Sequence, residues 1–290
     1  MSNQPENSAV CTIMPGINDL PKAVLVAPDG ARAEIYLHGG QVTSWVPAGG
    51  EERLFLSSTS EFSPQASIRG GVPVIFPQFG MEGPLPRHGF LRRMEWMLTG
   101  TQVTSSASGA VFQVGDNESS RQVLPQPFVA ELTVTVGGQQ LELELAIHNP
   151  GEEAFSFTGA LHTYLRVAEI EDIFLSGLVN QPYLDTVGGR TGYTQLEEDL
   201  LIRGEVDRIY YNAPRRLVLR EKERQTVIEA QGFPDAVVWN PGAELGASLA
   251  DLEPDGYRRM LCVEAVVTGR SVALPPGKSW HGAQLLTALK

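Results

Sequence analysis

A carboxylate, Glu264, lies in the middle of MLCVEAVV, residues 260–267, a segment that otherwise has the composition of a buried strand. Its neighbours there include a thiol and several aliphatic side chains, which prefer protein interiors. An ionised glutamate in such surroundings costs several kcal/mol unless it is paired, wetted by a cleft, or held neutral. Partial burial also moves the pKa of a glutamate toward neutral pH, where a carboxylate can exchange protons. The rest of the sequence must explain why Glu264 is there.

Basic side chains are concentrated in residues 67–96, SIRGGVPVIFPQFGMEGPLPRHGFLRRMEW. They are Arg69, Arg87, His88, Arg92 and Arg93, beside only two of the chain's 34 acidic residues, Glu82 and Glu95. The arginine fork matches the geometry of phosphate and carboxylate groups, so the segment predicts a site for an anion. A solvated loop with a few surface ion pairs is the alternative interpretation.

A histidine, His162, lies in the strand-like segment FSFTGALHTYLRV, residues 155–167. Alternation along a strand places it on the same face as Ala160 and Tyr164, with Phe157 and Leu161 on the other face. A single histidine on a mostly apolar strand is more often a hydrogen-bonded core residue than a catalyst, so position alone does not assign it a role.

The remaining candidate side chains are isolated in sequence. Asp207 in GEVDRIYYNAP, residues 204–214, precedes an aromatic pair, but an aspartate in a loop usually serves a turn. The other histidines are scattered at His38, His88, His148 and His281. None of them lies at metal-ligand spacing from His162 or from a cysteine, so the sequence predicts no metal site.

Alternation with a period of two residues dominates the chain and indicates the elements that must position these side chains. QLELELAIH places Leu141, Leu143, Leu145 and Ile147 on one face, and ELTVTVGGQQLELEL is typical of a hairpin that turns at Gly137 and Gly138. Further strands are predicted at AVLVA, AEIYLHG, VTSWV, VFQV, RRLVLRE, QTVIEAQG, AVVWN, MLCVEAVV and SVALP. Helical pattern is limited to GASLADLE. We expect an all-β fold, a large antiparallel sandwich or barrel in residues 21–290, preceded by about 20 disordered residues.

Composition excludes several classes of function. The net charge of −12 over 290 residues argues against nucleic acid and anionic membranes as partners, since both need a basic surface. No apolar run is long enough to cross a membrane, and the first residues lack the pattern of a secretory signal. The two cysteines, Cys11 and Cys262, are too far apart in sequence to suggest a disulfide framework. A cytoplasmic protein is the expectation.

Six motifs, in order along the chain, resemble the aldose 1-epimerase superfamily, and in particular its glucose-6-phosphate 1-epimerase branch. They are RGGVPVIFPQFG, RHGFLR, ALHTYLRV, EVDRIY, VVWNP and MLCVEAV, and the resemblance extends from about residue 30 to the C-terminus. It implies a galactose mutarotase-like β-supersandwich that is usually monomeric and needs neither metal nor organic cofactor. Two positions depart from the family pattern: Arg87, where relatives can carry an uncharged residue, and Gly242–Leu245, where an aromatic residue and a lysine are common.

Carried over motif by motif, the resemblance implies roles for seven residues. Those roles are general acid for His162, general base for Glu264, substrate contact for Arg69, Arg87, His88 and Arg92, with the arginines facing a phosphate, and binding of sugar hydroxyls for Asp207. The implied reaction interconverts the α and β anomers of a hexose 6-phosphate by ring opening and reclosure. A carboxylate and an imidazole on opposite sides of the sugar ring would perform the two proton transfers and then exchange roles.

Three alternatives remain open. The chain could be a mutarotase for unphosphorylated aldoses, or a non-catalytic carbohydrate-binding module that stacks sugars on Trp45, Trp96, Trp239 or Trp280. Glycoside hydrolysis would need two carboxylates across the scissile bond, which Glu264 and Asp207 could supply. The enzyme is favoured because a binding module has no need of both a buried glutamate and a histidine.

Overall fold

The alternating segments form strands in the structure, a computed structural model that describes residues 10–81 and 83–289. Within these residues the strands are β1 (Val10–Pro15), β2 (Pro21–Val26), β3 (Arg32–Tyr36), β4 (Gln41–Val46), β5 (Val74–Ile75), β6 (Met97–Val103), β7 (Ser108–Gly115), β8 (Val129–Gly137), β9 (Gln140–His148), β10 (Phe155–Leu161), β11 (Tyr164–Arg166), β12 (Phe174–Ser176), β13 (Pro182–Asp185), β14 (Thr191–Thr194), β15 (Asp199–Leu200), β16 (Val206–Tyr210), β17 (Arg216–Arg220), β18 (Gln225–Gln231), β19 (Asp235–Asn240), β20 (Met260–Leu274) and β21 (Ser279–Leu289). Two short helices, α1 (Glu118–Arg121) and α2 (Gly242–Ser248), and the 3₁₀ turns Ile17–Asp19, Leu91–Arg93, Ile170–Asp172 and Gly256–Arg259 complete the described secondary structure.

Three sheets arise from these strands, and their strand pairs are antiparallel. The first has the order β1-β2-β3-β4. The second has the order β14-β13-β16-β19-β20-β10-β5, with β11 also paired to β20. The third has the order β15-β12-β17-β18-β21-β9-β8-β7-β6. The prediction of an all-β, antiparallel sandwich is confirmed, and no helix among the described residues is long and apolar enough to cross a membrane.

The main hydrophobic core contains residues from all three sheets. The first eight residues of β20 are buried, and the two faces of this strand contact different apolar clusters. Leu261, Val263 and Ala265 belong to the main core. On the other face, Cys262 and Val266 belong to two smaller apolar clusters. Glu264 projects between those clusters, which is why its segment reads as continuously apolar.

The N-terminal expectation is wrong for residues 10–20. β1 pairs with β2 over its whole length, from Val10 opposite Val26 to Pro15 opposite Pro21. The N–H of Gly16 donates to the carbonyl of Leu20 and closes the turn between the strands. The sequence did not show this because a short strand followed by Pro-Gly lacks clear alternation. Residues 1–9 of the predicted disordered stretch lie outside the described residues.

Other element boundaries also differ from the predictions. SVALP is not a separate strand but the end of the long β20, and the predicted strand FSFTGALHTYLRV is interrupted between β10 and β11. The predicted helix at residues 246–253 begins earlier, at Gly242, because the side chain of Asn240 accepts the Gly242 N–H and starts the turn directly after β19. The β8–β9 hairpin is confirmed, with Gly138 in a left-handed conformation at its turn.

Candidate active site

A cleft of about 450 Å³ opens on the face of the eight-stranded sheet that turns away from the main core. This volume falls within the range of small-molecule sites. All seven residues that the resemblance implies line it, namely Arg69, Arg87, His88, Arg92, His162, Asp207 and Glu264. Strands β16, β19 and β20 supply its floor, and residues 69–92 and α2 supply further walls. Residues spread over 196 positions of the chain (69 to 264) are thus brought to one cavity.

Strand register brings His162 and Glu264 together. The pairs on either side of the interruption between β10 and β11 are Leu161 with Ala265 and Tyr164 with Cys262. Counting inward from both pairs places His162 directly opposite Glu264. Side chains at opposed positions project to the same face of an antiparallel sheet and meet there. The Nδ1 atom of His162 accordingly lies 3.4 Å from Oε1 of Glu264.

This contact differs from the expectation that the two groups would act from opposite sides of a sugar ring. Both side chains extend from neighbouring strands of one sheet. The difference has a chemical reason, because the anomeric hydroxyl and the ring oxygen of a cyclic aldose are bonded to the same carbon. Two groups that lie side by side can therefore reach both oxygens.

Burial governs the charge of the pair. Glu264 is 2% exposed and His162 is 7% exposed. Among the described residues, Nδ1 of His162 and Oε2 of Glu264 find no hydrogen-bond partner. Burial, and secondarily the Asp207 carboxylate, raises the pKa of Glu264 well above its ordinary value. Burial, His88 and two arginines lower the pKa of His162 well below its ordinary value. The cleft therefore disfavours two separate full charges at its floor.

Aromatic rings fix the orientation of the His162 imidazole. Tyr164 stacks on it with a centroid separation of 4.8 Å and an interplanar angle of 7°. Trp239 meets it edge-on at 6.2 Å. Because Nδ1 faces Glu264, Nε2 is the nitrogen that remains for a ligand in the cleft. Of the four tryptophans considered as sugar platforms, only Trp239 lines the cleft, whereas Trp45 and Trp96 are fully buried in the core.

His88 lies beside His162 as a neutral ring. Their centroids are 5.5 Å apart, and the Nδ1 atom of His88 accepts the N–H of Gly80. Burial, followed by the charges of Arg92, Arg87 and Arg69, lowers the pKa of His88 to about 3. The Nε2 atom therefore carries the proton of the neutral ring and can donate a hydrogen bond.

Arg69 is held by two partners inside the cleft wall. Its Nε and Nη2 atoms donate to the two carboxylate oxygens of Asp251, at 3.1 and 3.0 Å, and its Nη1 atom donates to the hydroxyl of Tyr164 at 3.1 Å. Burial lowers the pKa of Arg69, but Tyr164 and Asp251 outweigh it and raise the value above normal. Three of its five donors are thus occupied. The arginine connects Asp251, in the loop after α2, to Tyr164, the ring that stacks on His162.

Arg92 and Arg87 are the two other arginines of the cleft. Arg92 lies in the turn Leu91–Arg93, and its Nε atom is buried with no hydrogen-bond partner among the residues the structure describes. Burial, together with the charges of Arg69, Arg93 and Arg87, lowers the pKa of Arg92 to about 10, against the opposing effect of Tyr164. Arg87 is exposed at the rim. Both features suit a group that gains a counter-ion from a ligand.

Asp207 supplies the acidic side of the cleft. It lies on β16, opposite Trp239 of β19, and is partly buried. Burial raises its pKa, and the neighbouring Asp185 adds to the effect, while Thr186 and Arg87 oppose it. The cleft therefore has a cationic side at residues 69–92 and an acceptor side at β16. A ligand with an anionic end and a hydroxylated end matches this arrangement.

Potential metal ligands also meet at the floor. One atom each from His162, Cys262 and Glu264 lies within 4.8 Å of the others. A cation there would have to displace the proton of the Cys262 thiol, whose pKa burial and Glu264 raise well above normal. It would also face the charges of Arg69 and Arg92. These electrostatic features make the cluster better suited to moving protons than to holding a cation.

Sequence reasoning missed Tyr164 and Asp251 as parts of the site. Tyr164 had a detectable signal, since it shares the strand face of His162 in HTYLRV. Asp251 had none, because it follows a short helix and its partner Arg69 lies 182 residues earlier. Leu245, the last residue of the Gly242–Leu245 stretch, and Leu249, directly after α2, also line the cleft.

Comparisons with known proteins agree with this architecture. A relative from Cenchrus ciliaris described as "Putative glucose-6-phosphate 1-epimerase" is 36% identical over 93% of this chain and 85% of its own length. One from Escherichia coli with the same description is 31% identical, covering 92% of this chain and 90% of its own. A solved structure from Salmonella typhimurium, described as "a putative mutarotase", superposes with a TM-score of 0.89 at 28% identity over 99% of this chain and 95% of the other.

The match to the family described as aldose 1-epimerase covers residues 21–287 and so includes every strand that lines the cleft. The predicted resemblance is thereby confirmed. The chain belongs to the aldose 1-epimerase family.

Proposed function

We propose that this protein interconverts the α and β anomers of a hexose 6-phosphate, with glucose 6-phosphate as the substrate, through proton transfers by Glu264 and His162. The observation that carries the proposal is the buried contact between these two side chains at the floor of a cleft whose wall holds three arginines. Family membership supports an epimerase acting on an aldose. The arrangement of charge within the cleft supports the phosphorylated substrate.

The pair performs the reaction in its singly protonated state. Ring opening begins with the pair's proton on His162, so that a Glu264 carboxylate lies beside an imidazolium. Glu264 then accepts the proton of the anomeric hydroxyl, while His162 donates its Nε2 proton to the ring oxygen and keeps its Nδ1 proton. The bond between C1 and the ring oxygen breaks, and the open-chain aldehyde forms. After rotation about the C1–C2 bond, Glu264 returns its proton to the aldehyde oxygen as the ring oxygen attacks the other face, and His162 recovers its own. The pair ends with the one proton it began with.

The cationic side of the cleft orients the substrate. We assign the phosphate to Arg92, whose Nε atom has no hydrogen-bond partner among the described residues, and to Arg87, which is exposed at the rim, because three donors of Arg69 are already occupied. His88 donates a hydrogen bond to a ring substituent, since its low pKa keeps the imidazole neutral. Asp207 accepts hydrogen bonds from hydroxyls at the other end. Arg69 acts chiefly on Tyr164 and so on the orientation of the His162 ring.

Magnetisation transfer between the anomeric protons of glucose 6-phosphate tests the proposal. We expect purified protein to accelerate α–β exchange in proportion to its concentration, and to accelerate exchange of unphosphorylated glucose far less. Glu264→Gln protein prepared in parallel controls for contaminating epimerases. Equal acceleration of both sugars would instead identify a mutarotase for free aldoses. Sugar binding without any acceleration would identify a binding module, and either result contradicts the proposal.

A further inference from the structure

The interruption between β10 and β11 leaves one backbone acceptor of β20 without its usual donor. Thr163 and Val263 oppose each other, and the N–H of Val263 donates to the carbonyl of Thr163 at 3.0 Å. In an antiparallel ladder such a pair exchanges two hydrogen bonds. Here the N–H of Thr163 donates instead to Leu161, at 3.1 Å. The carbonyl of Val263 therefore needs a donor from elsewhere.

Gln284 supplies that donor from the opposite sheet. It lies on β21 of the nine-stranded sheet, is 1% exposed, and points into the core between the sheets. Its Nε2 atom donates to the carbonyl of Val263 at 3.2 Å. Its Oε1 atom accepts the hydroxyl proton of Thr163. One amide thus joins the two residues that the ladder leaves incompletely paired.

Thr163 directly follows His162 in the chain, and Val263 directly precedes Glu264. The Gln284 amide is therefore bonded to a residue adjacent to each member of the pair. We infer that Gln284 is a positioning residue, which replaces the missing ladder hydrogen bond and thereby fixes the cross-strand geometry of His162 and Glu264. The kinetic tests of this inference rest on the proposed function, whereas the NMR test does not. Sequence gives a signal for it, since Gln284 is a polar side chain at an inward position of HGAQLLTAL.

Variants of both partners test the inference by kinetics. Thr163→Val and Gln284→Leu remove the hydrogen bonds while keeping a side chain of similar volume. We expect each to lower kcat for anomer exchange by about tenfold or more with KM nearly unchanged, because the proton-transfer geometry loosens while the phosphate contacts stay intact. Thr163→Ser, which restores the hydroxyl, should recover most of kcat. If Gln284→Leu does not fold, the two Thr163 variants carry the test.

A matched control separates positioning from stability. Thr43 is also a buried threonine, 2% exposed, and its hydroxyl donates to the carbonyl of Glu34 at 3.4 Å in the four-stranded sheet. Thr43→Val should lower the melting temperature without lowering kcat. If Thr163→Val lowers kcat no more than Thr43→Val does, Gln284 and Thr163 only hold the fold and the inference is overturned.

A readout without activity distinguishes failure of this inference from failure of the proposed function. NMR of ring signals, with His162→Asn protein for assignment, reports the pH at which His162 takes up a proton. Loosening the pair should admit water to the imidazole, so that in Gln284→Leu protein this pH moves toward the value of a free histidine. An unchanged titration in a folded variant overturns the positioning role. A shifted titration with no anomer exchange in the wild-type protein leaves the positioning role standing and refutes the proposed reaction.

Discussion

Glu264 and His162 are expected to act as one catalytic unit, because each completes the proton transfer that the other begins. Glu264→Gln and His162→Asn should each lower kcat by about 10²- to 10⁴-fold. The double variant should be scarcely slower than the slower single variant, since removal of either group already disables the pair. Anomer exchange of the three variants, after circular dichroism has confirmed folding, checks this. Multiplicative losses would mean that the two side chains work independently.

The dependence of rate on pH should follow the number of protons on the pair rather than on either residue. Because burial lowers the pKa of His162, a second proton binds only below the ordinary range of histidine. Because burial and Asp207 raise the pKa of Glu264, the last proton leaves only above the ordinary range of glutamate. The singly protonated state lies between these two limits, and kcat should fall outside them.

Initial rates of anomer exchange from about pH 4 to about pH 10 check this dependence once the uncatalysed rate is subtracted. The neighbouring groups that influence the two pKa values are the charged side chains of Arg69, Arg87 and Arg92, the ring of His88, and the carboxylate of Asp207, which opposes the arginines. A rate that rises through a single ionisation at the ordinary pKa of histidine would show that His162 titrates as a free imidazole. That result contradicts the coupled pair.

Arg92 and Arg69 should differ in which substrates they affect. A hydrogen bond to a charged group contributes about 1.5–3 kcal/mol, so Arg92→Ala should lower kcat/KM for glucose 6-phosphate by about ten- to a hundredfold, mainly through KM. Exchange of unphosphorylated glucose should hardly change. Arg69→Ala should slow both substrates, because Tyr164 and Asp251 lose their partner and the ring beneath His162 is released. If Arg92→Ala lowers kcat/KM equally for both sugars, Arg92 does not bind the phosphate.

At the scale of elements, the entry of residues 67–96 into the cleft depends on close backbone contacts. Gly71 has a φ of 62°, and a Cβ there would lie 2.1 Å from the carbonyl oxygen of Val42. The N–H of Gly71 also donates to Phe55, and its carbonyl accepts from Tyr164. The loop that carries Arg69 is therefore pressed against the four-stranded sheet at a point that admits no side chain.

Gly71→Ala should consequently destabilise the protein more than a glycine substitution in an open turn. Gly49 is a matched control, since its φ is 63° and no atom of the described residues lies within 4 Å of the position its Cβ would take. Gly49→Ala should lower the free energy of unfolding by about 1–2 kcal/mol, the cost of the left-handed conformation alone. Gly71→Ala should exceed that by at least about 1 kcal/mol, since the backbone must move. Urea unfolding measures both, and equal losses would contradict the close contact.

The sequence permitted some elements to be predicted and concealed others for physical reasons. Alternation identified strands such as β8 and β9, whose inward positions are aliphatic and whose outward positions are mostly polar. It could not reveal the break at His162 and Thr163, because a strand that continues in the same register keeps the same alternation. Nor could it locate Asp251, since a partner 182 residues away leaves no local pattern.

The candidate site was likewise only partly accessible from sequence. Local chemistry identified Glu264 as anomalous and residues 67–96 as a cationic segment, whereas the roles of His162, His88 and Asp207 came from resemblance to a family. The contact between His162 and Glu264 follows from the pairing of β10 and β11 with β20. Pairing of distant strands depends on the tertiary fold, so the direct contact of the two groups needed the structure.

At the scale of the whole molecule, the acidic surface and the cationic cleft lead to different behaviour toward large and small anions. The net charge is −12, and the arginines of the site lie in a cavity of about 450 Å³. A sugar phosphate can enter such a cavity, but a duplex or a sulfated polysaccharide cannot bring its backbone to Arg92.

Excess heparin or duplex DNA should therefore leave anomer exchange of glucose 6-phosphate unchanged, and the protein should not be retained on a heparin column at about 0.1 M salt. Inorganic phosphate, which fits the cleft, should compete with glucose 6-phosphate and serves as the positive control. Inhibition by heparin at concentrations below those of phosphate would mean that the arginines form an open basic surface.

The two faces of β20 make this strand less tolerant of mutation than the walls of the cleft. Val263 and Ala265 support the main core while Glu264 between them serves the cleft, so mutations in this strand alter stability and chemistry together. The cleft walls around Arg87, in an irregular segment, and Leu245, in α2, lie outside the main core. If the proposed reaction holds, descendants of such a protein can therefore acquire new substrates by changes in those walls while Glu264 and His162 stay in place.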